Sequence, residues 1–209
     1  MQANKIRAFV ESSDRLDADI ASRFIPYKYS TNKDNLTQIL CDISFQHANS
    51  IRILYGFEMD NTATAILRMQ FESVVRLIWI HFCAKEYFIE SYAGSFSADK
   101  PPKDFPSVTE MIARIKQSGV KGPGESLEEF KNLAWIGMNN HIHNGYLAFS
   151  RHVNNYPEDL VIQIISNSNA LNIMTAMILA RLNRSQADVD FVKDLQLNYR
   201  EVMPELRFN

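Results

Sequence analysis

The chain has 209 residues, of which 46% are hydrophobic and 22% charged, and its 22 basic and 24 acidic side chains leave a formal net charge of −2. This composition is typical of a globular protein with its own core rather than of a disordered chain. A near-neutral balance without a run of Lys and Arg argues against an extended nucleic-acid surface of the counterion-releasing kind, while leaving room for a small basic pocket.

No segment predicts secretion or membrane insertion. The N-terminal sequence MQANKIRAFVESSDRLD lacks the long apolar core of a signal peptide. The most apolar run, Ala170–Leu182, is too short to span a bilayer and contains Asn172. Cys41 and Cys83 lie in apolar helical stretches and are interpreted as free thiols, with a disulfide between them as the alternative. We therefore expect a soluble, cytoplasmic protein with no membrane partner.

Helical periodicity dominates the first half of the chain. Apolar residues at three- and four-residue steps predict one helix over residues 35–57 and a second over residues 62–91. The second is apolar on almost every side, which places it at the centre of a bundle. Three prolines predict a surface loop near residues 94–106, after which Ser107 and Glu110 form a capping box that opens a short helix.

The second half follows the same pattern. A glycine-rich breaker predicts a loop near residues 118–125, and a second capping box, Ser126 with Glu129, predicts a helix that stops near Gly145. A short helical or irregular piece comes next.

Two further helices complete the prediction. Pro157 is expected at the first position of a long helix, because acidic residues follow it, and Ser185 opens the last helix. No strand pattern or repeat is visible. Residues 1–209 are therefore predicted to form a single-domain, all-α bundle of six to eight helices.

A charged stripe runs along the predicted central helix. Arg68, Glu72 and Arg76 are spaced by four residues and therefore share one face. Trp79 continues that face. Because the surrounding residues are apolar, these charges must pair, bind a ligand or line a wet cleft. The stripe is either a buried arginine–glutamate–arginine network or a ligand-binding wall in which Glu72 orients two anion-binding arginines.

The sequence MNNHIHNG, residues 138–145, concentrates polar side chains at a predicted helix end. Its histidines are two residues apart, about 200° on a regular helix, so they cannot share a metal ion there. His141 projects with apolar neighbours and is interpreted as a core or half-buried residue. His143, with Asn139, is a candidate general acid or base in the last turn. The alternative for His143 is a purely structural interaction with the helix dipole.

Other site chemistries lack their motifs. A ferritin-like metal site needs paired Glu-x-x-His motifs, and the sequence has none, so no metal is predicted. A phosphate loop, a dinucleotide-binding glycine motif and a nucleophile elbow are also missing from the sequence. No cofactor is therefore predicted.

Three segments carry a resemblance to known proteins: LRMQFESVVRLIWIHFCA, NHIHNGYLAFSRH and YPEDLVIQIISNSNALNIMTAMILARL. Together, over roughly residues 60–185, they resemble a family of uncharacterised bacterial proteins, which implies no activity. The arrangement is also similar to the HEPN superfamily, small all-α domains of toxin–antitoxin, CRISPR and abortive-infection systems. Many members of that superfamily are dimeric, metal-independent ribonucleases with an R-[polar]-x3-H motif at the dimer cleft.

The resemblance implies roles for particular residues. In the motif, the arginine neutralises the scissile phosphate and the histidine transfers a proton. Aligned on His143, the chain has Asn139 at the polar position, but Met138 stands where the arginine belongs.

Methionine at position 138 leaves two alternatives: a non-catalytic HEPN relative, or a cation supplied from elsewhere in the chain. Arg68, Arg76 or Arg151 could supply the charge if its helix packs against the turn at His143. Alternatively, Arg76 and His81 have the literal motif spacing, although leucine occupies the polar position between them.

Three functional hypotheses follow, in this order. The first is a homodimeric, HEPN-like interaction or regulatory module, linked through the resemblance to bacterial defence or toxin–antitoxin systems. The second is a ribonuclease toxin that uses His143 with an arginine of the central helix. The third is binding of a small anion or nucleotide by Arg68, Arg76 and Trp79. The sequence leaves open whether the protein is an enzyme and whether its partner is RNA, a nucleotide or a protein.

Overall fold

A computed structural model describes residues 2–24, 29–95 and 104–204, with side chains from residue 5 onward. Every regular element in these ranges is helical, which confirms the predicted all-α class. The helices are α1 Gln2–Arg23, α2 Asn32–Gly56, α3 Asp60–Phe82, α4 Glu86–Ser95, α5 Val108–Gln117, α6 Pro123–Ile142, α7 Tyr146–Asn154, α8 Glu158–Leu182 and α9 Gln186–Asn198, followed by a 3-10 turn at Arg200–Val202.

Hydroxyl side chains begin three of these helices. The Thr31 hydroxyl accepts a hydrogen bond from the backbone N–H of residue 34 at 3.1 Å. The Ser107 and Ser185 hydroxyls each accept one at 3.2 Å, from the N–H groups of residues 110 and 188. Such caps satisfy backbone donors that the first helical turn leaves unpaired. The predicted starts at Ser107 and Ser185 are therefore confirmed.

The predicted central helix is divided into two. α3 ends at Phe82, and α4 begins at Glu86, so the described residues contain nine α-helices where the sequence predicts six to eight. The break is stabilised by aromatic packing, because Phe88 on α4 turns back against Trp79 with ring centroids 5.0 Å apart. A continuous apolar pattern could not reveal this reversal.

The predicted capping box at Ser126 is wrong. α6 begins one turn earlier at Pro123, after Gly122, whose φ of 102° suits glycine. The carboxylate of Glu125, rather than Glu129, accepts a hydrogen bond from the N–H of Gly122 at 3.1 Å. Similarly, Pro157 precedes α8 by one position instead of being its first residue.

α3 and α8 form the centre of the molecule, and more than half of the residues in each are buried. α3 packs against α2, α5, α6 and α8, and α1 and α9 cover the other side of α8. A main core therefore surrounds α3, with a smaller apolar cluster between α1, α8 and α9.

α8 is long and apolar enough to cross a membrane by length and composition, but 67% of its most apolar window is buried inside the protein. α8 is longer than the apolar run Ala170–Leu182 seen in the sequence, because polar residues are interspersed along the rest of the helix.

Part of the loop predicted near residues 94–106 lies outside the described residues.

Candidate functional site

The charged stripe on α3 forms a connected ion-pair network. Arg68 Nε donates to one oxygen of Glu72 at 2.8 Å, and Arg76 Nη2 donates to the other at 3.1 Å. The Arg68 guanidinium also stacks on the ring of Trp135, with its central carbon 3.6 Å from the ring centroid. Glu72 therefore engages both arginines, and Trp135 covers one of them.

The second arginine of the stripe faces a cleft. Arg76 and Glu72 line a cavity of about 370 Å³, together with Asp104 and Phe105. Two carboxylates and one guanidinium give these charged side chains a net negative balance, which opposes an anionic ligand. Ligand binding by this stripe stays a prediction. A ligand in this cleft would contact Arg76 but not Arg68, because Arg68 does not line the cleft.

Trp79 lies in the apolar packing behind this cleft. The indole is 3% exposed and contacts the rings of Phe88 and Phe105 edge-on. Its indole nitrogen is buried without a hydrogen-bond partner among the described residues. The next histidine along α3, His81, is half-buried, and burial lowers its pKa to about 4.

The motif at residues 138–145 is divided between core and surface. Met138 is 3% exposed and belongs to the main core, which explains why no charged residue is found there. His143 is exposed and caps the C-terminal end of α6. Its backbone N–H donates to the carbonyl of Asn139 at 3.0 Å. Asn144 then adopts a positive φ of 49°, so it supplies the turn that was expected of the Asn-Gly pair.

His143 and the α3 stripe are not joined by any contact between the described side chains. α3 and α6 run so that Asn61 faces His141 and Arg68 faces Trp135, which places the stripe progressively further from the His143 turn. The catalytic roles of His143 and Asn139 therefore stay a prediction, and the arginines of the α3 stripe do not supply the cation that the motif lacks.

His141, by contrast, belongs to a polar cluster inside the bundle. Its Nδ1 lies 3.1 Å from Asn61 Oδ1 and 3.0 Å from the Tyr156 hydroxyl, which also donates to Asn61 Oδ1 at 2.7 Å. Burial lowers the pKa of His141, and the charge of Arg151 lowers it further. His141 is 8% exposed, in agreement with the expected core role.

A second buried polar network was not predicted from the sequence. Arg52 on α2 is 4% exposed, and it donates to Asp14 Oδ1 at 2.7 Å and to a carboxylate oxygen of Asp17, both on α1. Asn172 on α8 donates to the other oxygen of Asp17 at 2.7 Å and accepts from Gln70 on α3 at 3.0 Å. Four helices are thus linked through polar side chains in the interior.

Desolvation governs the charge state of this network. Burial raises the pKa of Asp17, while the charge and hydrogen bond of Arg52 act in the opposite direction. The available sequence signals were Asn172 within the most apolar run and Arg52 on the same helix face as Ala48 and Tyr55. A polar residue on an apolar face requires a buried partner, but periodicity alone does not identify that partner.

The remaining candidate chemistries are limited by burial. Among the described residues, no group of three His, Cys, Asp or Glu side chains could hold a metal ion. Cys41 and Cys83 are free, and burial raises the pKa of both thiols, which lowers their reactivity.

The fold and its interior networks define an all-helical bundle protein. The model of a family of unknown function, DUF6988, matches residues 41–205, and the chain belongs to that family. No curated protein and no solved structure matches the chain.

Proposed function

We propose that the protein is a HEPN-like interaction module that acts as a homodimer through the outer faces of α6 and α7. The observation that carries this proposal is an exposed apolar surface, defined by Leu133, Ile136, Tyr146, Phe149 and Val153. Each of these side chains is at least 66% exposed. Large contiguous apolar surfaces of this kind are characteristic of protein interaction sites.

The two halves of the apolar surface meet at Asn140. Its side chain donates to the carbonyl of Ile136 at 3.1 Å and accepts from the N–H of Leu147. The part of the apolar surface on α6 therefore leads into the first turn of α7. Five large side chains at these exposures offer an apolar area of the same order as the ~800 Å² that each partner buries in a standard interface.

The arrangement of polar side chains supports a second copy as the partner. Exposed Glu129 lies on α6, one side of Ile136, and exposed His143 lies seven residues beyond Ile136 on the other. In an antiparallel two-fold pairing of α6 centred on Ile136, Glu129 of each copy faces His143 of the other. Such a surface is self-complementary, as a two-fold interface requires.

Mass measurement in solution tests the proposal. Wild-type protein is expected to sediment as a dimer, and Tyr146→Glu and Ile136→Glu as monomers with unchanged circular dichroism. Tyr87→Glu is the matched control, because Tyr87 is 68% exposed on α4, outside the apolar surface. A monomeric wild type at high concentration, or a Tyr146→Glu variant that still dimerises, would exclude this interface.

Ribonuclease activity is a second candidate, favoured by the exposure of the His143 turn beside the apolar surface. Arg151, which acts electrostatically on His141, has no carboxylate partner among the described side chains and replaces the α3 arginines as the candidate cation. Wild-type protein would then cleave RNA without metal, and His143→Ala and Arg151→Ala would not. If RNA stays intact while the wild-type protein is dimeric, the ribonuclease proposal is rejected and the interaction-module proposal is retained. The link to bacterial defence or toxin–antitoxin systems rests only on the HEPN resemblance.

A further inference from the structure

A separate cleft of about 570 Å³ lies between α1 and α2, next to the C-terminal end of α8. This volume falls within the range of roughly 300–1,000 Å³ that small-ligand sites occupy. None of its lining residues belongs to α6 or α7. The cleft is therefore independent of the proposed dimer surface.

Arg52 lines one end of this cleft and has a hydrogen-bond donor without a partner among the described residues. Its Nε and Nη2 bind Asp14 and Asp17, but its buried Nη1 has no partner among the described residues. The residue is 4% exposed, so the cost of leaving a guanidinium donor unpaired is considerable. A hydrogen-bond acceptor on a ligand would remove that cost.

The opposite end of the cleft presents acceptors. Gln38 Oε1 is buried and has no partner in the described part of the chain. Asp42, one turn further along α2, also lines the cleft, and no cationic side chain pairs with it in the described ranges. Burial alone raises the pKa of this carboxyl. A ligand ammonium group would pair with Asp42 and donate to Gln38.

The middle of the cleft is mainly apolar: Ile20, Phe45 and Leu179 line it, together with the polar side chains of Gln46 and Asn49. Asp42 and Arg52 are separated by about 15 Å along the axis of α2, at 1.5 Å per residue. Three carboxylates line the cleft against the single guanidinium of Arg52, and this balance repels an anionic ligand.

We propose that this cleft binds an elongated, acylated aliphatic amine. Its ammonium group contacts Asp42 and Gln38, its hydrocarbon chain lies on the apolar middle, and its amide carbonyl accepts a hydrogen bond from Arg52 Nη1. The assignment needs no contribution from the proposed dimer surface.

Calorimetric titration of the full chain with monoacetylated 1,8-diaminooctane, an acylated amine with an uninterrupted hydrocarbon chain, tests the site. Saturable one-to-one binding is expected, with weaker binding of unmodified 1,8-diaminooctane and none of decanoate, an anion with a comparable chain. Absence of binding by the acetylated amine, or equal binding of decanoate, overturns the proposal.

Variants identify the contacts. Asp42→Asn is expected to weaken binding of the acetylated amine about tenfold or more, since it removes a charge-assisted hydrogen bond. Asp190→Asn is the matched control, because Asp190 is an exposed carboxylate on α9 outside the cleft. Equal losses in both variants would indicate non-specific attraction and reject the site.

Arg52→Lys tests the other end, because it keeps the positive charge and removes Nη1. The preference for acetylated over unmodified 1,8-diaminooctane should disappear in this variant, while circular dichroism reports an intact fold. A retained preference would show that Arg52 does not recognise the carbonyl.

Discussion

Replacement of Arg52 by methionine should destabilise the protein by about 3 kcal/mol, because removing one partner of a buried ion pair costs about 3–5 kcal/mol. The lower end of this range applies here. The Asp17 side chain remains 20% exposed and keeps its hydrogen bond from Asn172, and the Asp14 side chain is 55% exposed. Methionine fills most of the space of the arginine stem, so the loss is electrostatic rather than a cavity effect.

The loss should also depend on pH in a defined direction. Burial raises the folded-state pKa of Asp17 above its ordinary value, so at pH values between the unfolded and the folded pKa the folded form binds more protons than the unfolded form. Its contribution to stability is therefore present below the unfolded pKa and is lost as pH rises through the folded pKa. Arg52→Met removes the group that opposes this shift, so the difference in stability between variant and wild type should grow as pH rises above the unfolded pKa of Asp17.

Urea unfolding followed by circular dichroism at fixed protein concentration measures this effect. The midpoint should fall by about 1 M at neutral pH if the urea slope is about 2.5 kcal/mol per molar. Arg15→Met is the control, since Arg15 is exposed on the same α1 helix and should change stability by less than about 0.5 kcal/mol. A loss below about 1 kcal/mol for Arg52→Met, or a loss independent of pH, would refute the reasoning.

Three further predictions address other parts of the molecule. Phe71→Ala should cost about 3–5 kcal/mol of unfolding free energy, because Phe71 is fully buried; a loss below about 2 kcal/mol would contradict its core role. Asp188→Ala should flatten the acid limb of the stability curve. Hydrogen bonds from Asn183 and Arg23 outweigh burial and hold the pKa of Asp188 below its usual value, so its contribution is present above the unfolded pKa and lost as pH falls. An unchanged acid limb would count against this. In native protein a thiol reagent should modify Cys83 slowly and Cys41 only after unfolding, since Cys41 is fully buried and Cys83 partly exposed; rapid modification of Cys41 would disprove its burial.

The helical class and the central position of α3 could be predicted from sequence because apolar periodicity depends on local spacing. The caps at Ser107 and Ser185 were recognisable for the same reason. The break after Phe82 was not, because it depends on Phe88 packing against Trp79, a contact between two segments that are both apolar. The local apolar pattern indicates which residues are buried more reliably than it indicates the position at which the chain reverses direction.

The candidate sites were predicted less well than the fold. The pairing of Arg68 and Arg76 with Glu72 followed from four-residue spacing on one helix. The link between Arg52 and Asp17 joins residues 35 positions apart on different helices, and no spacing rule identifies it. The buried position of His141 was predicted from its apolar neighbours on α6, because residues at three- and four-residue steps share one face of a helix.

The buried network around Arg52 has a consequence for the boundaries of the folding unit. The matched family region begins at residue 41, yet Asp17 and Leu16 on α1 provide the charge partner of Arg52 and part of the smaller apolar cluster. A chain shortened to that region would leave Arg52 and Asn172 without their α1 partner and would expose the apolar side of α8. We therefore expect the cooperative folding unit to extend N-terminally beyond the region that the family model matches, and to include α1.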